Sequence, residues 1–195
     1  MTDALSEKMV KIEGWFTRQQ AELLEPYVLK LASNDLIVEL GTFQGKSTLF
    51  FAETAPQVRI ITVDMVNFPW NAEYDAGGVH LLQTPLREEI LRAGNIVQIV
   101  GKTDDVVKTF NWPINFMFID CNHDYEFVKA DIANWKRFVV LGGIISFHDY
   151  DPPHQGVIDA VTEWLNEDKD FELVEFMYSV AVVRRVAIKA NFTIS

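Results

Sequence analysis

Val38-Glu39-Leu40-Gly41-Thr42-Phe43-Gln44-Gly45-Lys46-Ser47 joins two kinds of sequence. Before it, Leu36-Ile37-Val38 is a short apolar run that ends on a glycine, which reads as a buried strand. After it, Lys46 to Glu53 reads as a helix. Glycine lets the backbone turn sharply and approach a ligand closely. The helix that follows offers free N–H groups at its start. In open parallel sheets, ligands bind at such carboxyl ends, near the point where strand order reverses. The spacing from Gly41 to Gly45 is G-x-x-x-G. It matches neither the dinucleotide G-x-G-x-x-G nor the P-loop, although Gly45-Lys46-Ser47 imitates the end of a P-loop. Glu39 precedes the turn, and Asp64 ends the next strand, where an acid accepts hydrogen bonds from ribose hydroxyls. The plainer alternative is an ordinary strand–helix turn beside an exposed acid.

The same alternation continues outward. Arg59 to Asp64, Ile96 to Val100, Ile114 to Asp120 and Ile144 to His148 read as buried strands. Pro85 to Ala93, Thr103 to Thr109, Asp124 to Phe138 and Pro153 to Asn166 read as helices, and Gly142-Gly143 as a turn. Gly14 to Leu31 has helical spacing, with a break or kink expected at Pro26. Phe171 to Phe176 and Ser179 to Val186 follow with no helix between them, so a hairpin joined at Met177-Tyr178 is expected. The predicted fold is α/β: a Rossmann-like, seven-stranded, mostly parallel sheet with an antiparallel edge hairpin and helices on both faces. One domain over residues 1–195 is expected, with a helical segment at 1–34, a core at 35–186 and a tail at 187–195. Asn67 to Gly78, with Phe68, Pro69, Trp70 and Tyr74, is a long irregular insertion that reads equally as a lid or as a self-packed surface loop.

Composition narrows the partners. The formal net charge is -11, and the basic residues are scattered apart from adjacent pairs such as Arg184-Arg185. Such a chain lacks the basic stripe that nucleic acid requires, and its acidity disfavours anionic membranes. The expected partner is a small molecule, with neither nucleic acid nor membrane; a homo-oligomer is left open. The single cysteine, Cys121, suits a reducing compartment. The polar start, Met1 to Lys11, is no signal peptide, and no apolar run reaches membrane-span length, so the expected location is cytoplasmic.

Ile37 to Ala52 (IVELGTFQGKSTLFFA) resembles the first motif of class I S-adenosylmethionine-dependent methyltransferases. Phe118 to Trp135 (FIDCNHDYEFVKADIANW) and Leu141 to Tyr150 (LGGIISFHDY) resemble a small-molecule O-methyltransferase branch related to catechol and macrolide-sugar methyltransferases. The resemblance implies that Gly41 and Gly45, within a turn that also holds Glu39, Thr42 and Ser47, lie against the methionine part of S-adenosylmethionine. It implies that Asp64 holds the ribose, that Thr103 and Asp104 lie near the adenine, and that Asp120 borders the cofactor.

Asp120, His123, His148 and Asp149 follow the ends of the fourth and fifth strands, on one rim. Two carboxylates suit Mg²⁺, and an added imidazole allows Mn²⁺ or Zn²⁺. The resemblance implies a metal held by Asp120 and the pair His148-Asp149, with a departure at His148, where an oxygen donor is usual. The competing reading makes His148-Asp149 a structural hydrogen-bonded pair. The resemblance also implies that His123 is the base; an imidazole titrating near neutrality can take a hydroxyl proton. Otherwise His123 caps the next helix. His154 has an uncertain direction after Pro152-Pro153, and His80 reads as structural. The reading is methyl transfer from S-adenosylmethionine to a hydroxyl of a small acceptor, with a divalent metal such as Mg²⁺ as a candidate assistant. Two other classes compete: a short nucleotide-dependent oxidoreductase, which the glycine spacing opposes, and a non-catalytic cofactor-binding or assembly protein, which intact Asp120, His123 and Asp149 oppose.

Overall fold

The computed structural model describes residues 1–65 and 94–186. The insertion Asn67 to Gly78, the helix expected from Pro85 to Ala93, His80 and the 187–195 tail lie outside the described residues. The strands are β1 (Leu36–Leu40), β2 (Arg59–Asp64), β3 (Ile96–Val100), β4 (Ile114–Ile119), β5 (Val139–Phe147), β6 (Phe171–Met177) and β7 (Val180–Arg185). The helices are α1 (Asp3–Val10), α2 (Arg18–Val28), α3 (Lys46–Thr54), α4 (Thr103–Val106), α5 (Tyr125–Trp135) and α6 (Gln155–Glu167). The seven strands form one sheet in the order β3-β2-β1-β4-β5-β7-β6. Only β7 runs against its neighbours, β5 and β6. The expected fold class is the one observed.

Period-two alternation explains the two-faced core. Ile37, Phe116 and Phe118 point to one face, where they meet Phe16, Phe50 and Phe51 from the α1–α3 side. Val38, Met117 and Ile119 point to the other, against Val128, Ile132, Trp135, Val157 and Val161 from α5 and α6. Strand order reverses between β1 and β4, so the crevice there opens between Gly41 and Asp120.

Several local expectations need correction. The helix expected from Gly14 starts at Arg18, because Thr17 and Gln20 form a capping box. Pro26 does not break it: the proline sits in the last turn, where one lost hydrogen bond costs least. An additional helix, α1, precedes it. β5 begins at Val139 rather than Ile144 and runs through Gly142-Gly143, with a register slip opposite Ile114 and Phe116. These glycines make a bulge inside the strand, not a turn before it. The hairpin turn is Tyr178-Ser179, with φ of 54° and 57°, one residue later than expected.

Candidate active site at the switch point

The glycine turn is built on Asp64. Asp64 Oδ2 accepts from the backbone N–H of Thr42 and of Phe43, each at 2.7 Å, and its Oδ1 accepts from Met65 N at 2.6 Å. Gly41 (φ 95°) and Gly45 (φ 82°) take the left-handed conformations the turn needs. Phe43 also has a positive φ, 45°, and its ring lies 5.5 Å from that of Trp15.

Glu39 lies beneath the turn, fully buried. Ser47 and Thr48 donate to its two oxygens at 2.6 and 2.5 Å, and Thr62 adds a third bond at 2.5 Å. Glu39 and Ser47 therefore support the turn from inside. Thr42 is buried too, and its hydroxyl pairs with that of Thr62. The Thr103 hydroxyl is committed to Asp131 on α5 at 2.6 Å, and Cys121 donates to the other Asp131 oxygen at 3.0 Å. Asp104 accepts from Asn134 at 2.9 Å. These two bonds and the Cys121 contact tie the loop after β3 to the loop after β4.

Burial pushes the Glu39 carboxyl up from 4.5 to about 7, against the pull of its three hydroxyl partners. The folded state thus holds the proton more tightly than the unfolded chain. That stabilises the fold fully below about 4.5, and the contribution is lost as pH rises through about 7. The difference is worth roughly 3 kcal/mol. Glu39→Gln is therefore expected to lose less stability than wild type between pH 5 and pH 8. Urea midpoints at both pH values measure this; parallel slopes for the two proteins would refute it.

The second half of the site gathers on β4 and β5. Asp120 N donates to Leu40 O at 2.8 Å, and His148 N donates to Ile119 O at 3.0 Å, so the three strand ends stay in step. Asp149 turns back with φ 54°, a conformation that costs energy outside glycine. Its Oδ2 lies 2.9 Å from both His123 Nε2 and His148 Nδ1. Asp120 Oδ1 lies 3.2 Å from His148 Nδ1 and 3.8 Å from His123 Nε2. Despite those distances, neither nitrogen makes a hydrogen bond; both are buried without a partner in line. His154 Nδ1 bonds Asp151 at 2.8 Å, and the His154 ring meets that of His123 edge-on at 4.7 Å. Two triads can each offer their ligand atoms to one ion: Asp120, His148 and Asp149, and His123, Asp149 and His154.

The carboxylates Asp120 and Asp149 raise His123 to about 9. Burial pushes His148 down, but the same two acids outweigh it and take it up to about 10. In return, and against burial, the imidazoles hold both acids below the ordinary range. The expected near-neutral imidazole is thus corrected: two carboxylates hold both rings above that range. His123 does not cap α5 either: Asp124 is the N-cap of that helix, and no side chain caps it.

Sequence reading missed Gln20, which bonds His148, and Gly156, where a Cβ would lie 2.4 Å from His123 O. The capping-box spacing Thr17 to Gln20 was a readable signal for the helix start, though not for the long-range contact. The chain also contains the Tyr-x-x-x-Lys spacing of short-chain dehydrogenases, at Tyr125 and Lys129. Both side chains pair with Glu163 on α6. A hollow of about 320 Å³ between Tyr27, Lys30, Asn115 and Arg184 lies at the opposite ends of the strands, away from this chemistry.

The sequence model of a methyltransferase-domain family matches residues 38–150, more than half of the chain. Solved structures share the fold. An O-methyltransferase from Bacillus cereus, in complex with SAH, superposes with TM-score 0.69 at 16% identity over 95% of this chain and 92% of that one. The O-methyltransferase TomG from Streptomyces achromogenes, involved in tomaymycin synthesis and in complex with SAM, gives 0.69 at 17% identity over 96% and 92%. CalS11, a TDP-rhamnose 3'-O-methyltransferase of calicheamicin biosynthesis, gives 0.63 at 20% identity over 86% and 80%. Among the described residues, no helix is long and apolar enough to cross a membrane.

Proposed function

The chain belongs to the methyltransferase-domain family, and we propose that it transfers a methyl group from S-adenosylmethionine to a hydroxyl of a small acceptor. The observation that carries this reading is the meeting of the Gly41–Gly45 turn with Asp120, His123, His148 and Asp149 at one switch point. When bound, S-adenosylmethionine supplies an electrophilic methyl on a sulfonium. The glycine turn admits it closely, Asp64 faces its ribose, and Thr103 and Asp104 border its adenine. The donor set also fits a divalent cation: two carboxylate oxygens and buried imidazole nitrogens without hydrogen-bond partners converge. Asp120, His148 and Asp149 would hold it. It would supply Lewis acidity, which lowers the pKa of a nearby hydroxyl. His123 opens to the rim and, in its neutral form, takes the proton that the acceptor loses. The nitrogen-containing set admits Mn²⁺ or Zn²⁺ as readily as Mg²⁺.

Calorimetry is expected to give micromolar affinity for S-adenosylmethionine and its demethylated product, on the order of -8 kcal/mol. A screen of hydroxylated acceptors with labelled cofactor is expected to give turnover that falls with chelator and returns with Mg²⁺ or Mn²⁺. Asp149→Ala is expected to weaken metal rescue at least about tenfold while sparing cofactor affinity. Absence of cofactor binding would overturn the reading; full activity in excess chelator would remove the cation from it.

A further inference from the structure

Gln20 is 3% exposed, and it enters the site from α2, far from the strand ends in sequence. Its amide orientation is fixed by its partners. Gln20 Oε1 accepts from the backbone N–H of Thr17 at 2.7 Å. Its Nε2 donates to Tyr178 O at 2.9 Å and lies 3.4 Å from Ser179 Oγ. Exchanging the two amide atoms would set a donor against Thr17 N–H and an acceptor against Tyr178 O, so the assignment holds.

His148 Nε2 lies 3.1 Å from that same Oε1. An amide oxygen only accepts, so Nε2 must carry a proton. In a neutral imidazole the lone pair then belongs to Nδ1. Nδ1 is the atom that faces Asp149 Oδ2 at 2.9 Å and Asp120 Oδ1 at 3.2 Å. With the ring neutral, three electron-rich atoms converge: Nδ1, Asp149 Oδ2 and Asp120 Oδ1. A cation relieves that arrangement, whereas the opposite tautomer would turn an N–H toward the ion.

We propose that Gln20 is a positioning residue: it locks His148 as the Nε2–H tautomer and so makes Nδ1 the nitrogen ligand of a divalent cation shared with Asp120 and Asp149. The inference rests on the cation reading of this cluster. It gives the N-terminal segment a function beyond packing. The Gln20 amide, in the first turn of α2, grips the β6–β7 turn at Tyr178 and holds the buried His148 imidazole by the same group. A partner on the distal ring nitrogen is the usual means of orienting a metal-ligating histidine.

Zinc alone is the probe, because it is diamagnetic and binds imidazole. In zinc-loaded wild type, the nitrogen NMR spectrum of His148 is expected to show a protonated Nε2 and a metal-bound Nδ1. Gln20→Leu is expected to weaken zinc binding by about 10- to 100-fold in calorimetry, with the affinity for S-adenosylhomocysteine unchanged. Gln20→Glu keeps the acceptor oxygen toward His148 but sets a second oxygen against Tyr178 O, so it is expected to recover only part of the zinc affinity. Zinc coordination through Nε2, or equal zinc affinity in wild type and Gln20→Leu, would overturn the role of Gln20 alone. No zinc binding to wild type would overturn this inference together with the cation reading, while cofactor binding would still stand. Should the leucine variant fail to fold, the zinc-loaded wild-type spectrum decides by itself.

Discussion

Gly41→Ala is expected to destabilise the protein by about 4 kcal/mol or more and to abolish cofactor binding. A Cβ at this position would lie 1.9 Å from the carbonyl oxygen of Asp120 and 2.5 Å from its carbon. Both obstacles are backbone, so no side chain can swing aside. The backbone cannot yield cheaply either. Gly41 N donates to Val63 O at 2.9 Å and Asp120 N to Leu40 O at 2.8 Å, which pins β1 between β2 and β4. Gly41 also has φ 95°, which adds strain for any residue with a Cβ. Relief requires β1 and β4 to part at the rim, which is the crevice itself. The loss is a large share of the roughly 5–15 kcal/mol that holds a domain together. Gly142→Ala is the control: φ is 79°, but its Cβ would meet nothing within 4 Å. It is expected to cost only about 1 kcal/mol, the backbone contribution alone. Urea denaturation of both variants makes the comparison. Equal losses at the two positions would mean that the close approach of β1 and β4 does not matter.

The strands were legible because buried parallel strands write themselves as apolar runs, and the switch-point turn because glycine and acid mark its two ends. The rim cluster was legible for the same reason: Asp120, His148 and Asp149 stand immediately after apolar runs, and neighbouring parallel strands put such residues side by side. What stayed hidden depends on distance through the chain. Nothing local to Gln20 tells that it meets His148, because that contact exists only once α2 packs on the sheet. The raised imidazoles were hidden likewise, since their cause is the pairing of acids from two different strands. Gly142-Gly143 was misread because glycines mark a bulge and a turn with the same letters. The Tyr178-Ser179 turn carries no glycine or asparagine, so its left-handed pair left no local trace.

His123→Ala is expected to lower kcat by about 10²–10⁴-fold, the usual share of general acid–base catalysis. The residue lies where a base would be needed. Its side chain is 37% exposed, so it reaches both the open rim and the buried acids. Its backbone is held in place by α6, where Gly156 leaves room for His123 O and Tyr125 N that a Cβ would fill. Asp149 and Asp120 beside Nε2 favour a proton on that nitrogen, which leaves Nδ1 as the basic atom of the neutral ring. The nearby alternatives are poorer. The Cys121 thiol is half-buried, bonded to Asp131 and pushed well above its usual range. Asn122 accepts from Asp124 N and has no basic nitrogen. His148 is almost fully buried, and His154 is bonded to Asp151. The affinity for S-adenosylhomocysteine is expected to stay within about twofold of wild type, because His123 lies outside the glycine turn and Asp64. Added imidazole is expected to restore part of the alanine variant's rate, since the substitution leaves a gap at the rim that a free base can enter. Near-wild-type turnover in His123→Ala would remove it as the base. A large loss that imidazole does not rescue, accompanied by weaker metal binding, would instead make His123 a fourth ligand of the ion.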